Sequence, residues 1–462
     1  MPHHLTLSEQ ASAIRDRRLS PIELTAAHLN QIERHNPALN AFVRVLADEA
    51  RAQARAAEDS EPAGPLHGVP VTVKDSFDIA GLPTYCGSRL RLDHRARSDA
   101  TAVARLRRAG AIILGKTNCP EFLMNYETDN HITGRTNNPW DLARTPGGSS
   151  GGEAAAIASF CSAGGIGSDG GGSIREPAHF CGIAGLKPTP GRCPATGHYP
   201  EIAHPGGLLG VGGPLARTAR DVRVLFEVLA GHDPLDPFSA PVPLRAADLA
   251  GLRVGMTEAI GDVPVAAPLR EAVRAAAATL GDLGIPVEPY SPPLFRQAAD
   301  LWAFFFKRLP LTVMREILSS TADKLHWTGR ELWDQSLDEP EPTAREVLEN
   351  LSLRDKLRGR LMRDMETRRV LLWPACGVTA FPHRRREFAT PDRVINYDEA
   401  MMPLTPANLL GLPAMVIPFT QTPAGLPVAI QLIARPWDEE LLLTLAETLE
   451  QARGPFPSPP GY

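Results

Sequence analysis

Two serines lie among glycines near the middle of the chain, in positions suited to attack on a carbonyl group. Ser149 lies in the string GGSSGGE at 147–153, and Ser173 ends the string GSDGGGS at 167–173. A carbonyl substrate can approach a hydroxyl that is flanked by glycines, and the backbone N–H groups of residues 170–173 can converge on one developing oxyanion. Together with a lysine, these residues predict acyl transfer to a serine.

Two other kinds of site match parts of the same segment. Residues 165–170 match the dinucleotide pattern G-x-G-x-x-G, but Pro177 interrupts the helix that should follow, and no acidic residue follows at the expected distance. Residues 147–151 match the G-x-S-x-G nucleophile elbow, yet residues 137–141 are polar and contain proline where a strand is required. A tight turn would explain one or two of the glycines, but not three in a row before a serine.

Composition limits the function classes. The chain has 462 residues with 43% hydrophobic and 22% charged residues, which is ordinary for a globular enzyme, and its net charge of −5 disfavours nucleic-acid binding. No apolar run is long enough for a membrane helix, and the first ten residues lack a signal-peptide pattern, so we expect a cytoplasmic protein. Six cysteines without paired spacing predict free buried thiols, and no motif indicates a metal or a cofactor.

Short apolar runs alternate with helical patterns along the chain. Ser20-Pro21-Ile22-Glu23 predicts a helix start, and Asn36-Pro37 predicts its end. Predicted strands include Val69–Val73, Met415–Ile417 and Val428–Ile433. This alternation is typical of an α/β protein with a mostly parallel central sheet.

Several strings resemble the amidase signature family. They are the two glycine–serine strings, Leu66–Asp75, Gly115–Asn118, Cys181–Thr189, Gly213–Thr218, and Asn408–Pro413 together with Gln431–Ile433. The resemblance implies an amidase signature fold, in which helices cover both faces of a central mixed, mostly parallel sheet. It also implies one domain over 1–462, divided into N-terminal helices (1–65), the signature core (66–235), a variable and partly helical pocket region (236–395) and closing C-terminal elements (396–462).

The family's Ser-cisSer-Lys triad aligns with three residues of this chain. The resemblance implies that Ser173 is the nucleophile, that Ser149 relays protons and follows a cis Gly148–Ser149 bond, and that Lys74 is the base. A neutral Lys74 requires a pKa shift from about 10.4 to about 7.5, which costs roughly 4 kcal/mol and which burial can cause. Gly170, Gly171 and Gly172 are the predicted oxyanion hole.

Residues beside the triad have predicted supporting roles. We expect Asp169 and Arg175 to form an ion pair that holds the glycine turn, and Ser150 to help position Lys74. Ser168 replaces the threonine that is frequent in the family and keeps its hydroxyl. Asp75 is predicted to be structural. Glu176 is less usual at its position, and the sequence suggests no role for it.

The resemblance predicts a monomer or homodimer that acts on a small amide or carbamate. Leu123, Met124 and Tyr126 align with family positions near the acyl chain, and an aromatic group at 302–333 favours an apolar or aryl pocket. Packing of those aromatics in the core is the alternative. We expect activity on anilides, on fatty or aryl amides and on carbamates (urethanes), with esterase side activity. Residues 383–386 are predicted to be a solvated loop.

The family also contains glutaminase subunits of tRNA-dependent amidotransferases, which is the alternative function. Those subunits have an acidic residue seven positions before the Asn-Leu motif, where this chain has Met401, and a basic stretch that residues 340–370 do not closely match. Without such groups the charged ends of glutamine would be left unpaired. The sequence therefore favours an amidase for less polar substrates.

Overall fold

A computed structural model of the chain describes residues 1–62, 64–204, 206–292, 295–337 and 339–462. The strands within these residues are β1 Phe42–Val45, β2 Pro70–Lys74, β3 Ile112–Thr117, β4 Gly164–Asp169, β5 Ala184–Lys187, β6 Val211–Ala216, β7 Val254–Met256, β8 Val287–Pro289, β9 Val370–Pro374, β10 Glu387–Ala389, β11 Val394–Asn396, β12 Ala414–Gln421 and β13 Pro427–Ala434.

The helices in the same residues are α1 Leu7–Arg15, α2 Pro21–Leu39, α3 Ala47–Glu58, α4 Thr101–Arg108, α5 Gly151–Ala158, α6 Arg175–Cys181, α7 Ala219–Leu229, α8 Ala267–Asp282, α9 Phe295–Ala303, α10 Leu309–Leu318, α11 Trp327–Leu337, α12 Ala344–Asp364, α13 Tyr397–Met401, α14 Thr405–Leu409 and α15 Glu439–Arg453. A π-helical turn, Phe304–Arg308, joins α9 to α10. Among the described helices, none is long and apolar enough to span a membrane.

Eleven of the described strands form one mixed sheet in the order β1-β3-β2-β4-β6-β5-β12-β13-β9-β7-β8. Strand β2 pairs in parallel with β3 and β4, and β7 pairs in parallel with β8 and β9. The strands between these groups, from β4 to β9, pair antiparallel, and β12 and β13 are connected by a short turn. The mixed α/β class is confirmed. Parallel pairing dominates only toward the two ends of the sheet.

Helices cover both faces of this sheet, as predicted. Along β12 the side chain of Val416 packs with residues of α5 and α6, whereas Met415 and Ile417 pack on the opposite face with residues of α8 and α15. Successive side chains of a strand point to opposite faces, so both faces of β12 are buried. This arrangement explains the continuous apolar composition of the strand.

The predicted start of α2 is confirmed, but its predicted end is wrong. The Ser20 hydroxyl accepts hydrogen bonds from the N–H groups of Ile22 and Glu23, and Pro21 is the first helical residue. The helix continues through Pro37 to Leu39 and ends at Asn40 in the left-handed conformation. The Asn36 side chain bonds the N–H groups that follow, at Ala41 and Phe42, so it caps the helix end.

Candidate active site

Two neighbouring parallel strands bring the predicted base and the nucleophile loop to one edge of the sheet. Val73 of β2 lies beside Ile166 of β4, so the carboxyl ends of the two strands meet at Lys74 and Asp169. The chain leaves β4 as a glycine turn and enters α6 at Arg175. Ser173 belongs to this turn, which explains how residues a hundred positions apart reach one site.

Lys74 is fully buried in a cluster of hydroxyl groups. Its Nζ lies 2.7 Å from Ser149 Oγ, 2.9 Å from Ser150 Oγ and 3.1 Å from Ser168 Oγ. Burial lowers the pKa of Lys74 from 10.5 to about 8, although nearby thiols and carboxylates oppose the shift. A substantial neutral fraction is therefore available near neutral pH, as a base requires.

Ser149 lies two residues before α5, which opens with two glycines. The Gly148–Ser149 peptide bond is cis, as the resemblance implied. The N–H of Gly148 donates to Glu176 Oε2 at 2.7 Å, and burial raises the pKa of the Glu176 carboxyl well above its usual range. Glu176, for which the sequence suggests no role, thus holds the backbone beside Ser149 through this hydrogen bond.

Asp169 and Arg175 form a fully buried ion pair. Arg175 Nη2 lies 3.0 Å from Asp169 Oδ1, and its Nε lies 3.0 Å from Oδ2. Arg175 also donates to Gln431 Oε1 at 2.6 Å and to the Leu404 carbonyl at 2.8 Å. Burial alone would raise the pKa of Asp169, but the adjacent guanidinium holds that pKa below its usual range. The pair therefore ties the nucleophile turn to the C-terminal part of the chain.

The glycine turn before Ser173 is fixed on both sides of its backbone. Trp302 Nε1 donates to the Gly170 carbonyl at 2.8 Å, and Tyr126 Oη donates to the Gly171 carbonyl at 2.8 Å. Gly172 has φ +124, which side-chain-bearing residues rarely adopt, and its N–H donates to Asp169 Oδ1 at 2.7 Å. One of the three amides predicted for the oxyanion hole is thus already bonded to a carboxylate.

Two cavities meet at Ser173. The first, here named the polar chamber, has a volume of about 260 Å³ and includes Lys307, Glu331, Gln335, Arg386 and Asp398 in its lining. The second, the apolar chamber, has a volume of about 160 Å³ and includes Phe122, Ile202, Val211, Pro310, Leu311 and Met314. Both chambers are also lined by Leu123, Met124, Ser173, Phe306 and Leu332.

The three residues predicted for the substrate pocket lie in these walls. Leu123 and Met124 line both chambers, and Tyr126 lines the polar chamber. Trp302 stacks on Phe306 with ring centroids 4.7 Å apart, so part of the aromatic group forms the cavity wall. Phe305, by contrast, is buried in the core. Some aromatic side chains of the 302–333 group therefore line the cavity, and others pack in the core.

The prediction that residues 383–386 form a solvated loop is wrong for Arg386. Its guanidinium donates to Glu331 at 2.7 and 2.9 Å and to buried Glu127 at 2.7 Å, and it lies over the Tyr397 ring. Carboxylates from two distant segments hold the side chain at the chamber wall. A run of basic residues does not indicate such a role, because its partners are far away in the sequence.

Asp75, the residue after the predicted base, pairs with a different lysine. Asp75 Oδ1 lies 2.7 Å from Lys116 Nζ, and both side chains are buried. Lys116 also donates to the Pro83 carbonyl at 2.8 Å. This ion pair agrees with the structural role predicted for Asp75.

Comparison with known proteins adds the family. The family model described as Amidase matches residues 23–443. A glutamyl-tRNA(Gln) amidotransferase subunit of Roseiflexus sp. (strain RS-1) is 36% identical, and the match covers 97% of this chain and 96% of that protein. The model match and this relative each span nearly the whole chain.

Solved structures of similar proteins include amide hydrolases that match nearly the whole chain. A 6-aminohexanoate cyclic dimer hydrolase complexed with substrate superposes with a TM-score of 0.88 at 29% identity, covering 100% of this chain and 99% of that one. A bacterial aryl acylamidase of the amidase signature family superposes with a TM-score of 0.86 at 27% identity, covering 97% and 96%. The relatives therefore include both hydrolases of amides and an amidotransferase component.

Proposed function

We propose that this chain, which belongs to the amidase family, hydrolyses a carboxylic amide through an acyl-enzyme on Ser173. The observation that carries the proposal is the 2.7 Å contact between Lys74 Nζ and Ser149 Oγ inside a buried cluster. Membership of the family makes the chain a hydrolase of C–N amide bonds, and the roles of the three residues are our inference.

In the proposed acylation step, Ser173 Oγ attacks the carbonyl carbon while its proton passes through Ser149 to neutral Lys74. The tetrahedral intermediate collapses when the C–N bond breaks and Ser149 delivers a proton to the departing nitrogen. Water then repeats the attack on the ester, with Lys74 again accepting the proton. The lowered pKa of Lys74 supports both directions of proton transfer near pH 8.

We propose that the amides of Gly170, Gly171 and Ser173 stabilise the oxyanion. The bond from Trp302 to the Gly170 carbonyl fixes that peptide plane, so the N–H of Gly171 points to the opposite side. Gly172 is less suited to the role because its N–H is bonded to Asp169. Donors that are oriented before reaction are the effective ones in oxyanion holes.

The size and composition of the apolar chamber support a substrate with a ring-sized apolar group. A dry cavity of about 150 Å³ with similar aliphatic walls accommodates benzene, and this chamber has about 160 Å³. Aryl amides, anilides and aryl carbamates are therefore the proposed small-molecule substrates. Esters are expected as side substrates because they pass through the same tetrahedral intermediate.

Active-site labelling and a substrate panel test this proposal. A fluorophosphonate should label the wild-type protein and not the Ser173→Ala variant, because Ser173 Oγ must displace fluoride from phosphorus. Comparison of kcat/KM for p-nitroacetanilide, an aryl carbamate and acetamide should favour the aryl substrates. Labelling of the Ser173→Ala variant, or preference for acetamide, would contradict the corresponding part of the proposal.

A second candidate function is the glutaminase activity of a tRNA-dependent amidotransferase, favoured by the name of the 36% identical relative. The sequence argument against this function was that the charged ends of glutamine would lack partners. The polar chamber weakens that argument, since Lys307 and Arg386 are suited to a carboxylate and Glu331 to an ammonium group. Glutamine has no ring-sized apolar group that would fill the apolar chamber. Ammonia release from glutamine that greatly exceeds aryl amide hydrolysis, or a copurifying partner protein, would establish this candidate instead.

A further inference from the structure

The two chambers raise the question of which half of the amide each one receives. The proton that completes C–N cleavage must reach the departing nitrogen, and in the proposed mechanism it comes from Ser149. Among the described lining residues, Ser149 belongs to the apolar chamber and not to the polar one. The nitrogen and its substituent should therefore lie on the apolar side of Ser173.

We propose that the apolar chamber binds the amine half of the substrate and the polar chamber binds the acyl half. This inference rests on the proposed Ser173 mechanism and extends it to a substrate class. The substrate is then an amide that joins a polar, hydrogen-bonding acyl group to a ring-sized apolar amine, such as an anilide. The opposite arrangement, an aromatic acyl group on a polar amine, places the polar amine against the apolar walls of the apolar chamber.

His198 contributes a neutral ring to the wall of the apolar chamber. The side chain lines the apolar chamber, is 6% exposed, and its Nδ1 lies 2.7 Å from the Pro200 carbonyl. Nδ1 must therefore carry the proton and Nε2 is an acceptor, for which the described residues provide no partner. Burial lowers the pKa of His198 to about 3, so it stays neutral. His198 therefore adds a neutral ring to the wall of the apolar chamber, with its Nε2 enclosed by that wall.

The polar chamber offers the chemistry that a polar acyl group requires. Gln335 is exposed on its wall, and Lys307 lies 2.7 Å from Asp398 there. The acyl group remains bound after the amine has left, and water then enters from the vacated amine side, next to Ser149. Each bond is accounted for: the Ser173 ester forms as C–N breaks, and the released amine keeps the proton delivered by Ser149.

Two isomeric amides test the orientation. 3-Hydroxy-N-phenylpropanamide has a polar acyl group on aniline. Its isomer N-(2-hydroxyethyl)benzamide has the phenyl group on the acyl side and the hydroxyethyl group on the nitrogen. We expect the anilide to have a kcat/KM at least about tenfold higher, in the range that pocket complementarity gives. Anilides and alkyl amides also differ in intrinsic reactivity, so the decisive measurement uses variants and separates acylation from deacylation.

A variant in each chamber provides that separation. Met314 lines the apolar chamber and is half-buried, and exposed Gln335 lines the polar chamber, so neither substitution removes a core residue. Deacylation is followed after a burst from the p-nitrophenyl ester of 3-hydroxypropionic acid, which forms the same acyl-enzyme as the anilide. Met314→Ala should lower kcat/KM for the anilide by about tenfold without changing deacylation, because the amine is absent from that step. Gln335→Leu should slow deacylation itself by about threefold.

The outcomes separate the two proposals. If Met314→Ala slows deacylation and Gln335→Leu does not, or if the benzamide isomer is preferred in every variant, the orientation is overturned while the Ser173 mechanism stands. If no burst appears and no acyl group is found on Ser173 by mass spectrometry, the proposed function itself fails. Both variants should keep the wild-type melting temperature within a few degrees, which checks that the fold is intact.

Discussion

The two walls of the cavity are built in different ways. The strand-end wall, formed by Lys74, Ser149, Ser173 and the glycine turn, comes from the predicted signature core and consists of buried polar groups. The outer wall, formed by Trp302, Lys307, Glu331 and Arg386, comes from the predicted variable region (236–395), and its charged groups are partly exposed ion pairs. Under the proposed mechanism, the reaction chemistry depends on the first wall and the choice of substrate on the second.

The largest effect should follow the loss of the base in the strand-end wall. Lys74→Met should lower kcat by about a thousandfold or more, as removal of a triad member does in other serine hydrolases. Lys187→Met is the matched control, because Lys187 is also fully buried and burial lowers its pKa to about 7, yet it donates to the Pro188 carbonyl. We expect the control to retain kcat within about tenfold. Equal losses in the two variants would contradict the role of Lys74.

Activity should rise with pH through the pKa of Lys74. That pKa lies below the ordinary lysine value, at about 8, so the neutral base is about half present at pH 8, nearly complete above about pH 9, and lost as pH falls. At pH 6 about one molecule in a hundred carries neutral Lys74, so kcat/KM should be about a hundredfold lower than its plateau. A pH–rate profile that is flat between pH 6 and 8 would exclude a titrating base. The Lys187→Met variant should give the same profile as wild type.

Loss of the hydrogen bond that joins the two walls, from Trp302 to the Gly170 carbonyl, should have a smaller effect on kcat. Trp302→Phe removes the donor to the Gly170 carbonyl and frees the plane that carries the Gly171 N–H, so kcat should fall about tenfold with little change in KM. Tyr126→Phe removes the bond to the Gly171 carbonyl, but Asp169 still holds the other side of that peptide at Gly172. We therefore expect a loss of about threefold or less. The reverse order would show that Gly172, and not Gly171, faces the oxyanion.

The smallest expected effect is a loss of stability when Arg386 of the outer wall is replaced. Arg386→Met removes the arginine partner of buried Glu127, and we expect the free energy of unfolding to fall by about 1 kcal/mol, since Arg386 is partly exposed. Urea unfolding measures the change. Arg345→Met is the control, because its pair with Glu349 is exposed to solvent, and no measurable change is expected there. Equal effects would mean that the Arg386 network does not support the wall.

Sequence reasoning reached the strand-end wall because its residues lie in short strings with unusual composition. Lys74, Ser149 and Ser173 each lie in such a string, and the structure brings Lys74 against the hydroxyls of Ser149, Ser150 and Ser168. The mixed α/β class followed from the alternation of apolar runs and helices. The sequence did not indicate which groups the backbone N–H groups of the turn would bond. The hydrogen bond from Gly172 to Asp169 was therefore not predicted.

The outer wall was largely beyond sequence reasoning. Arg386 pairs with Glu127 across 259 positions, and neither residue lies in a pattern that distinguishes it from a solvated charge. The sequence did not distinguish whether Trp302 packs in the core or lines the pocket, because both environments use large apolar side chains. Pro37 was expected to end α2, yet the helix continues two residues beyond it, and the N–H groups of Ala41 and Phe42 that follow bond to the Asn36 side chain.

Gly171 and Trp302 constrain each other. A methyl group at Gly171 would lie 2.3 Å from Trp302, so even Gly171→Ala requires the indole to move away from the turn. Substrate range cannot then be widened at Trp302 alone, since a smaller side chain there would also release the Gly170 carbonyl. Directed evolution of this enzyme would progress further through α10 and α11, where cavity shape can change while the turn beside Ser173 keeps its indole partner.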